Sequence, residues 1–172
     1  SRLVHVEQDH IVNANGMVMT PGYVDIHSHG AWGSSFDDGE KGITTARAGH
    51  MAHGTTRQVL SLITNPIDVI CGNLKTVHDM MPDRPDILGA HLEGPFLAMP
   101  RKGAHDPNCL VDPTPDLVSR MLDAADGCLR QITIAPELPH GIDAIRRFFL
   151  AGVVPAVGHC DADYQTARKG FD

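Results

Sequence analysis

His27 and His29 stand two residues apart in PGYVDIHSHG, Glu93 stands in LGAHLEGPFLA, and His159 stands in GVVPAVGHCDADY. Residues two apart in extended backbone project to one face, so His27 and His29 can grip a single ion. Imidazole and carboxylate together suit zinc, iron or another first-row divalent metal. Taken singly, an H-x-H is also what two polar loop histidines look like. A strand-end Glu equally serves as a solvated loop residue or a helix cap, and a lone His beside an apolar run equally packs in a core. What sets these residues apart is that each directly follows a short apolar run. Glu93 precedes Gly94 and Pro95, which turn the chain away and leave the carboxylate at the strand end. Glu137, after ITIAP, is similarly placed and reads either as pocket lining or as a loop-stabilising carboxylate. Asp25 reads either as the partner that orients a ligand histidine or as a holder of loop backbone.

The runs that position these residues are short and rich in Val, Ile and Leu, as parallel strands covered on both faces are. They fall at Tyr23 to Ile26, Arg57 to Ile63, Asp86 to Leu92, Arg130 to Ile134 and Val153 to Val157. Helical periodicity fills the intervals, near Ile43 to Ala52, Pro66 to Met81, Pro115 to Ala125 and Gly141 to Ala151, with a fifth helix beginning near Asp163. Pro66 after Asn65 and Pro115 after Thr114 suit first helical turns, and Gly54 and Gly152 suit helix ends. Alternating strand and helix predicts an α/β fold with a parallel sheet, namely about five units of a (β/α)8 TIM-like barrel over residues 18–172. Such barrels carry their active sites at the C-terminal ends of the strands, which is where His27, His29, Glu93, Glu137 and His159 fall. Residues 1–17 do not share this rhythm; extended stretches at Leu3 to Val6 and Ile11 to Val12 predict a segment of a small β domain. A complete barrel needs roughly 250 residues, and five units leave open edges. The 172 residues are therefore expected to be part of a longer polypeptide or to pair with other chains.

The chain carries 14 Lys plus Arg against 21 Asp plus Glu, a formal charge of −7, without a basic run. Nucleic acid and anionic membrane are poor partners for such a surface. No apolar stretch is long enough for a membrane span and the start lacks a secretory pattern, so a cytoplasmic location is expected. Cys71, Cys109, Cys128 and Cys160 include no C-x-x-C pair, which argues against a zinc ribbon or a thioredoxin-like motif. His5, His10, His50, His53, His78 and His140 read as surface or packing residues, and His91, inside the third strand, as structural.

PGYVDIHSHG, GTTRQVLSLIT, LGAHLEGPFLA followed by KGAHDP, ITIAPE and GVVPAVGHCDADY together resemble the N-acetylglucosamine-6-phosphate deacetylases of the amidohydrolase superfamily. The resemblance covers nearly the whole chain, and HLEGPF with KGAH and the later GH is its most specific part. It implies metal-dependent hydrolysis of the acetamide of an amino-sugar phosphate, with one or two divalent ions, zinc or iron. It implies that Glu93 and His159 bind the principal metal and that His27 and His29 bind a second position which Glu93 bridges, although some relatives lack that pair. Ala104 and His105 of KGAH would contact the sugar. The general base, an aspartate after the last barrel strand, and a further ligand histidine after the sixth would lie beyond Asp172, so no catalytic residue is assigned within this chain. Phosphate-binding groups would also lie downstream; Arg101 and Lys102 read as solvated charge. The full-length protein is expected to be a homodimer. A cyclic-amide hydrolase shares the strand-one H-x-H but typically bridges its metals through a modified lysine after strand four, where this chain has TIAPE. A non-catalytic fragment with an incomplete metal site stands as the alternative from another class.

Overall fold

The computed structural model describes residues 13–172. The two extended stretches expected within residues 1–12 lie outside the described residues, as do His5 and His10. Five strands form one curled parallel sheet, a half-barrel, and lie across it in chain order. They are β1 (Tyr23–Asp25), β4 (Thr55–Leu62), β5 (Ile87–Glu93), β6 (Leu129–Ile134) and β7 (Val154–Val157). Helices α1 (Gly39–Ala52), α2 (Ile67–Met80), α3 (Pro115–Ala125) and α4 (Gly141–Leu150) connect them, and α5 (Tyr164–Phe171) follows β7. The strand-helix rhythm expected of a partial TIM-like barrel is what the chain shows. None of the helices among the described residues is long and apolar enough to cross a membrane.

Local chemistry explains where elements start and stop. β1 ends at Asp25 rather than Ile26, because Asp25 Oδ1 accepts the His27 N–H at 2.9 Å and takes that amide out of the ladder. A small antiparallel hairpin absent from the sequence reading, β2 (Gly30–Ala31) with β3 (Ser34–Ser35), follows. Its tip, Trp32 and Gly33, takes positive φ at both residues, as the twist of a tight hairpin requires. α3 begins as expected, with Thr114 accepting the Leu117 N–H and Pro115 in the first turn. At α2 the expectation fails: Pro66 itself precedes the first helical residue, and the Asn65 side chain donates to Asp37 instead of capping.

The strands sort their side chains by parity. Leu60, Leu62, Leu92, Ile132 and Ile134 face the helices and pack with Ile70, Leu74, Val77, Val118, Met121 and Phe148 in the buried core. The helical residues recur at three- and four-residue spacings, so each helix presents one apolar stripe. Ser61, His91, Glu93 and Thr133 have the opposite parity and occupy the concave face. The sheet therefore separates an apolar layer from a polar one, and the polar layer leads up to the strand ends.

One charged side chain crosses this order. Arg47 on α1 is fully buried and donates to Asp86 Oδ2 at 2.9 Å, to Gln58 Oε1 and to the Thr55 carbonyl. Asp86 also accepts two bonds from Arg84, each 2.9 Å. Arg84, and then Arg47, hold the Asp86 carboxyl at about 2 against its usual 3.8. Allowing for its remaining exposure, this carboxylate contributes roughly 1–2 kcal/mol. Because the folded value is depressed, that contribution is complete above the usual value and is lost as pH falls toward the folded one. Asp86→Asn should lower the melting temperature at neutral pH, with the gap to wild type closing between about pH 4 and pH 2; a gap of constant size across that range would contradict the assignment.

Candidate metal centre

Three strand ends and one loop deliver side chains to a single point. His27 and His29 follow β1, Glu93 ends β5, and His159 follows β7. The fourth contributor is the long loop after β5, which folds back so that His105 is buried against the same carboxylate. Gly94 makes the exit from β5 possible: its φ is +90°, and a Cβ there would meet Thr64 Oγ1 at 2.2 Å.

Glu93 lies at the centre. Its Oε2 is 2.8 Å from His29 Nε2 and 3.5 Å from His105 Nε2, while its Oε1 is 3.1 Å from His159 Nε2 and 3.4 Å from His27 Nε2. Two groups of three potential ligands share this carboxylate, His27 with His29 and His105 with His159, and the ligand atoms of each group lie within 4.8 Å of one another. Bonding to His29, reinforced by the charge of the surrounding imidazoles, holds the Glu93 carboxyl at about 2. The same contact raises His29 above the usual imidazole range.

The outer nitrogens decide what each ring offers. His159 Nδ1 is 2.8 Å from the Arg101 carbonyl, which fixes the proton on that nitrogen and leaves the Nε2 lone pair facing Glu93. A lone pair set against a carboxylate oxygen needs a cation between them, either a proton or a metal. His105 has the reverse polarity: Nδ1 accepts the Thr64 N–H at 3.3 Å, so Nε2 carries the proton and faces the site as a donor. Burial holds His105 below the usual imidazole range and keeps it neutral. Among the described residues, imidazole nitrogens and a bridging carboxylate form a donor set that fits a divalent cation.

Every ligand candidate read from the sequence arrives here: His27, His29, Glu93 and His159, with His105 beside them. Ala104 is exposed on the same loop. Other readings change. Asp25 holds loop backbone rather than a ligand ring, accepting from His27 N–H and from the Ser28 hydroxyl. Of its two readings, surface or packing, His50 takes packing: its Nε2 lies 3.1 Å from the Gly30 carbonyl and its ring stacks on Phe36. Arg101 is not simply solvated: it pairs with Asp161 at 2.7 Å. Lys102 caps the carbonyls of Gly103 and His105 within its own loop. Glu137 accepts the Asp161 N–H through Oε1, and its buried Oε2 has no partner. Sequence reasoning missed Asp37, which binds the Ile63 N–H and the Asn65 and Asn73 amides and so ties the loop after β1 to β4 and α2. Burial raises its carboxyl above the usual range.

No family model matches the chain. The N-acetylglucosamine-6-phosphate deacetylase of Lysinibacillus sphaericus is 28% identical over 173 residues, covering 96% of this chain and 44% of that protein. The N-acetylgalactosamine-6-phosphate deacetylase of Escherichia coli O157:H7 is 26% identical, over 94% of this chain and 44% of its own length. Among solved structures, the N-acetyl-D-glucosamine-6-phosphate deacetylase of Mycobacterium smegmatis superposes with a TM-score of 0.84 at 39% identity, over 88% of this chain and 43% of that one. In sequence and in fold, along nearly its whole length, this chain is similar to the N-acetylglucosamine-6-phosphate deacetylases, of which it spans about two fifths.

Proposed function

We propose that this chain supplies the metal-binding part of an enzyme that hydrolyses the acetamide of N-acetylglucosamine 6-phosphate, giving glucosamine 6-phosphate and acetate. The observation that carries the reading is Glu93, set among four imidazoles at the strand-end rim. Glu93 and His159 would hold the principal ion, zinc or iron, and His27 and His29 a second position that Glu93 bridges. A divalent ion bound there lowers the pKa of a water toward neutrality and polarises the amide carbonyl.

The chain's own residues do the rest of what this part can do. His105, neutral and protonated on Nε2, donates a hydrogen bond to an oxygen of the substrate, with Ala104 beside it against the sugar. The carbonyl of Arg101 keeps His159 in the tautomer that binds metal. Because the relatives are more than twice as long, the reading assigns the activity to the longer protein. There a downstream aspartate acts as general base and a further histidine completes the metal shell. That protein is proposed to be a cytoplasmic homodimer with a small-molecule substrate and no nucleic-acid or membrane partner.

The direct test is acetate release by the full-length protein from N-acetylglucosamine 6-phosphate with added zinc or iron(II), run beside N-acetylgalactosamine 6-phosphate. Turnover of the glucosamine epimer is expected to dominate. Failure with both sugars would overturn the reading. Glu93→Gln should reduce bound metal and turnover together, by at least the roughly 10- to 100-fold that loss of a supporting partner costs; unchanged metal content would remove Glu93 from the ligand set.

Metal binding must also displace the proton that His29 and Glu93 share. Since His29 is raised by its bond to Glu93, that proton is held to higher pH than on an ordinary imidazole and affinity should climb with pH. Calorimetric zinc titrations at about pH 6 and about pH 8 should show tighter binding and less proton release at the higher value. Equal affinity at both would contradict the shared proton.

A further inference from the structure

Beneath Glu93 the concave face carries a second polar structure. Ser61 on β4, His91 on β5 and Thr133 on β6 are all buried. Ser61 Oγ is 2.9 Å from His91 Nδ1, and His91 Nε2 is 2.9 Å from Thr133 Oγ1, so one imidazole bridges two hydroxyls across three adjacent strands. Barrel interiors are ordinarily filled by branched apolar side chains. A buried histidine in their place is tolerated because both of its nitrogens are satisfied.

The bridge reaches the ligands through Ser28, which lies between His27 and His29. Ser61 holds that residue at both backbone groups: the Ser61 N–H donates to the Ser28 carbonyl, and the Ser61 hydroxyl oxygen accepts the Ser28 N–H, each at 3.2 Å. A hydroxyl has two lone pairs and one proton, enough to serve Ser28 and His91 together. The His91 ring also packs edge-on against His27, with centroids 4.6 Å apart at 81°. On the outer side, the Ser28 hydroxyl donates to Asp25 Oδ2 at 2.9 Å and accepts from Gln58. The middle of the H-x-H is thus pinned from both sides; the outer pin, through Gln58, reaches only the start of β5, whereas the inner pin, through His91, reaches the stretch of β5 next to Glu93.

We propose that Ser61 and His91 are positioning residues of the His27, His29 and Glu93 metal position, acting through the Ser61-His91 contact to fix the Ser28 backbone. This rests on the metal-centre reading above. Removing the bridge lets the loop after β1 shift relative to β5, and ligands displaced by fractions of an ångström lose affinity before the fold loses stability.

The test is zinc calorimetry on the full-length protein, which is read independently of turnover. Ser61→Ala removes the link to Ser28. His91→Gln places its amide near the former Nε2 and keeps Thr133 but not Ser61, whereas His91→Asn places it near Nδ1 and keeps Ser61. Ser61→Ala and His91→Gln should weaken zinc roughly 10- to 100-fold, with His91→Asn close to wild type. Wild-type affinity in Ser61→Ala and His91→Gln, or an equal loss in His91→Asn, would overturn the proposal. Should Ser61→Ala fail to fold, the two His91 variants decide by the same contrast. If wild type itself takes up no zinc, the metal-centre reading falls and this inference with it; if wild type binds and the variants match it, only the inference falls.

Discussion

Four imidazole edges meet at one carboxylate, and at least one of them, the Nε2 edge of His159, faces it with a lone pair, an arrangement that needs positive charge between the two. Glu93 offers two oxygens, and each has two ring nitrogens within 3.5 Å. A bare lone pair set against a carboxylate oxygen repels it, and protonating every ring fully would crowd like charges together. One shared proton relieves part of this, as the opposite shifts of His29 and Glu93 indicate. A divalent ion relieves more, because it satisfies several lone pairs at once.

That constraint explains why so much of the polar structure is spent on holding loops. The candidate ligands come from the ends of β1, β5 and β7, which are separated by long stretches of chain, and an ion would tolerate little error in their placement. The ties are mostly backbone bonds. Ser61 holds Ser28; the Arg101 carbonyl holds the His159 ring; and the Ala98 N–H donates to the His159 carbonyl at 2.9 Å. The last two contacts, with the Arg101 pair to Asp161, dock the loop after β5 onto the loop after β7. His105 is thereby carried to the carboxylate although its own segment holds no strand or α-helix, only two short 3-10 turns at Met99–Arg101 and Pro107–Cys109. Behind the sheet, the apolar core of strands and helices supplies the rigidity against which these ties work.

The fold was legible because parity and period are written in residue types. Runs such as VLSLI and the stripe Ile70, Leu74 and Val77 declare strand and helix directly, and His27, His29, Glu93 and His159 stand out as ligand candidates because each follows such a run. What stayed hidden depended on contacts between distant segments. Nothing local marks Ser61 as the holder of Ser28 thirty-three residues away, and no local cue distinguishes Asp37 from a solvated loop carboxylate. The role of His105 as a donor follows from the Thr64 amide, a partner that only the folded loop provides. Residue type alone leaves Asp25 two roles, and the geometry, bonds to the His27 N–H and the Ser28 hydroxyl, selects the loop-holding one.

The measurement closest to the central claim is X-ray absorption spectroscopy at the zinc edge on the full-length protein loaded with zinc. Ligation by this cluster predicts a nitrogen and oxygen first shell at about 2.0–2.2 Å with the outer-shell scattering of imidazole. A thiolate shell near 2.3 Å, or a shell without imidazole scattering, would contradict it.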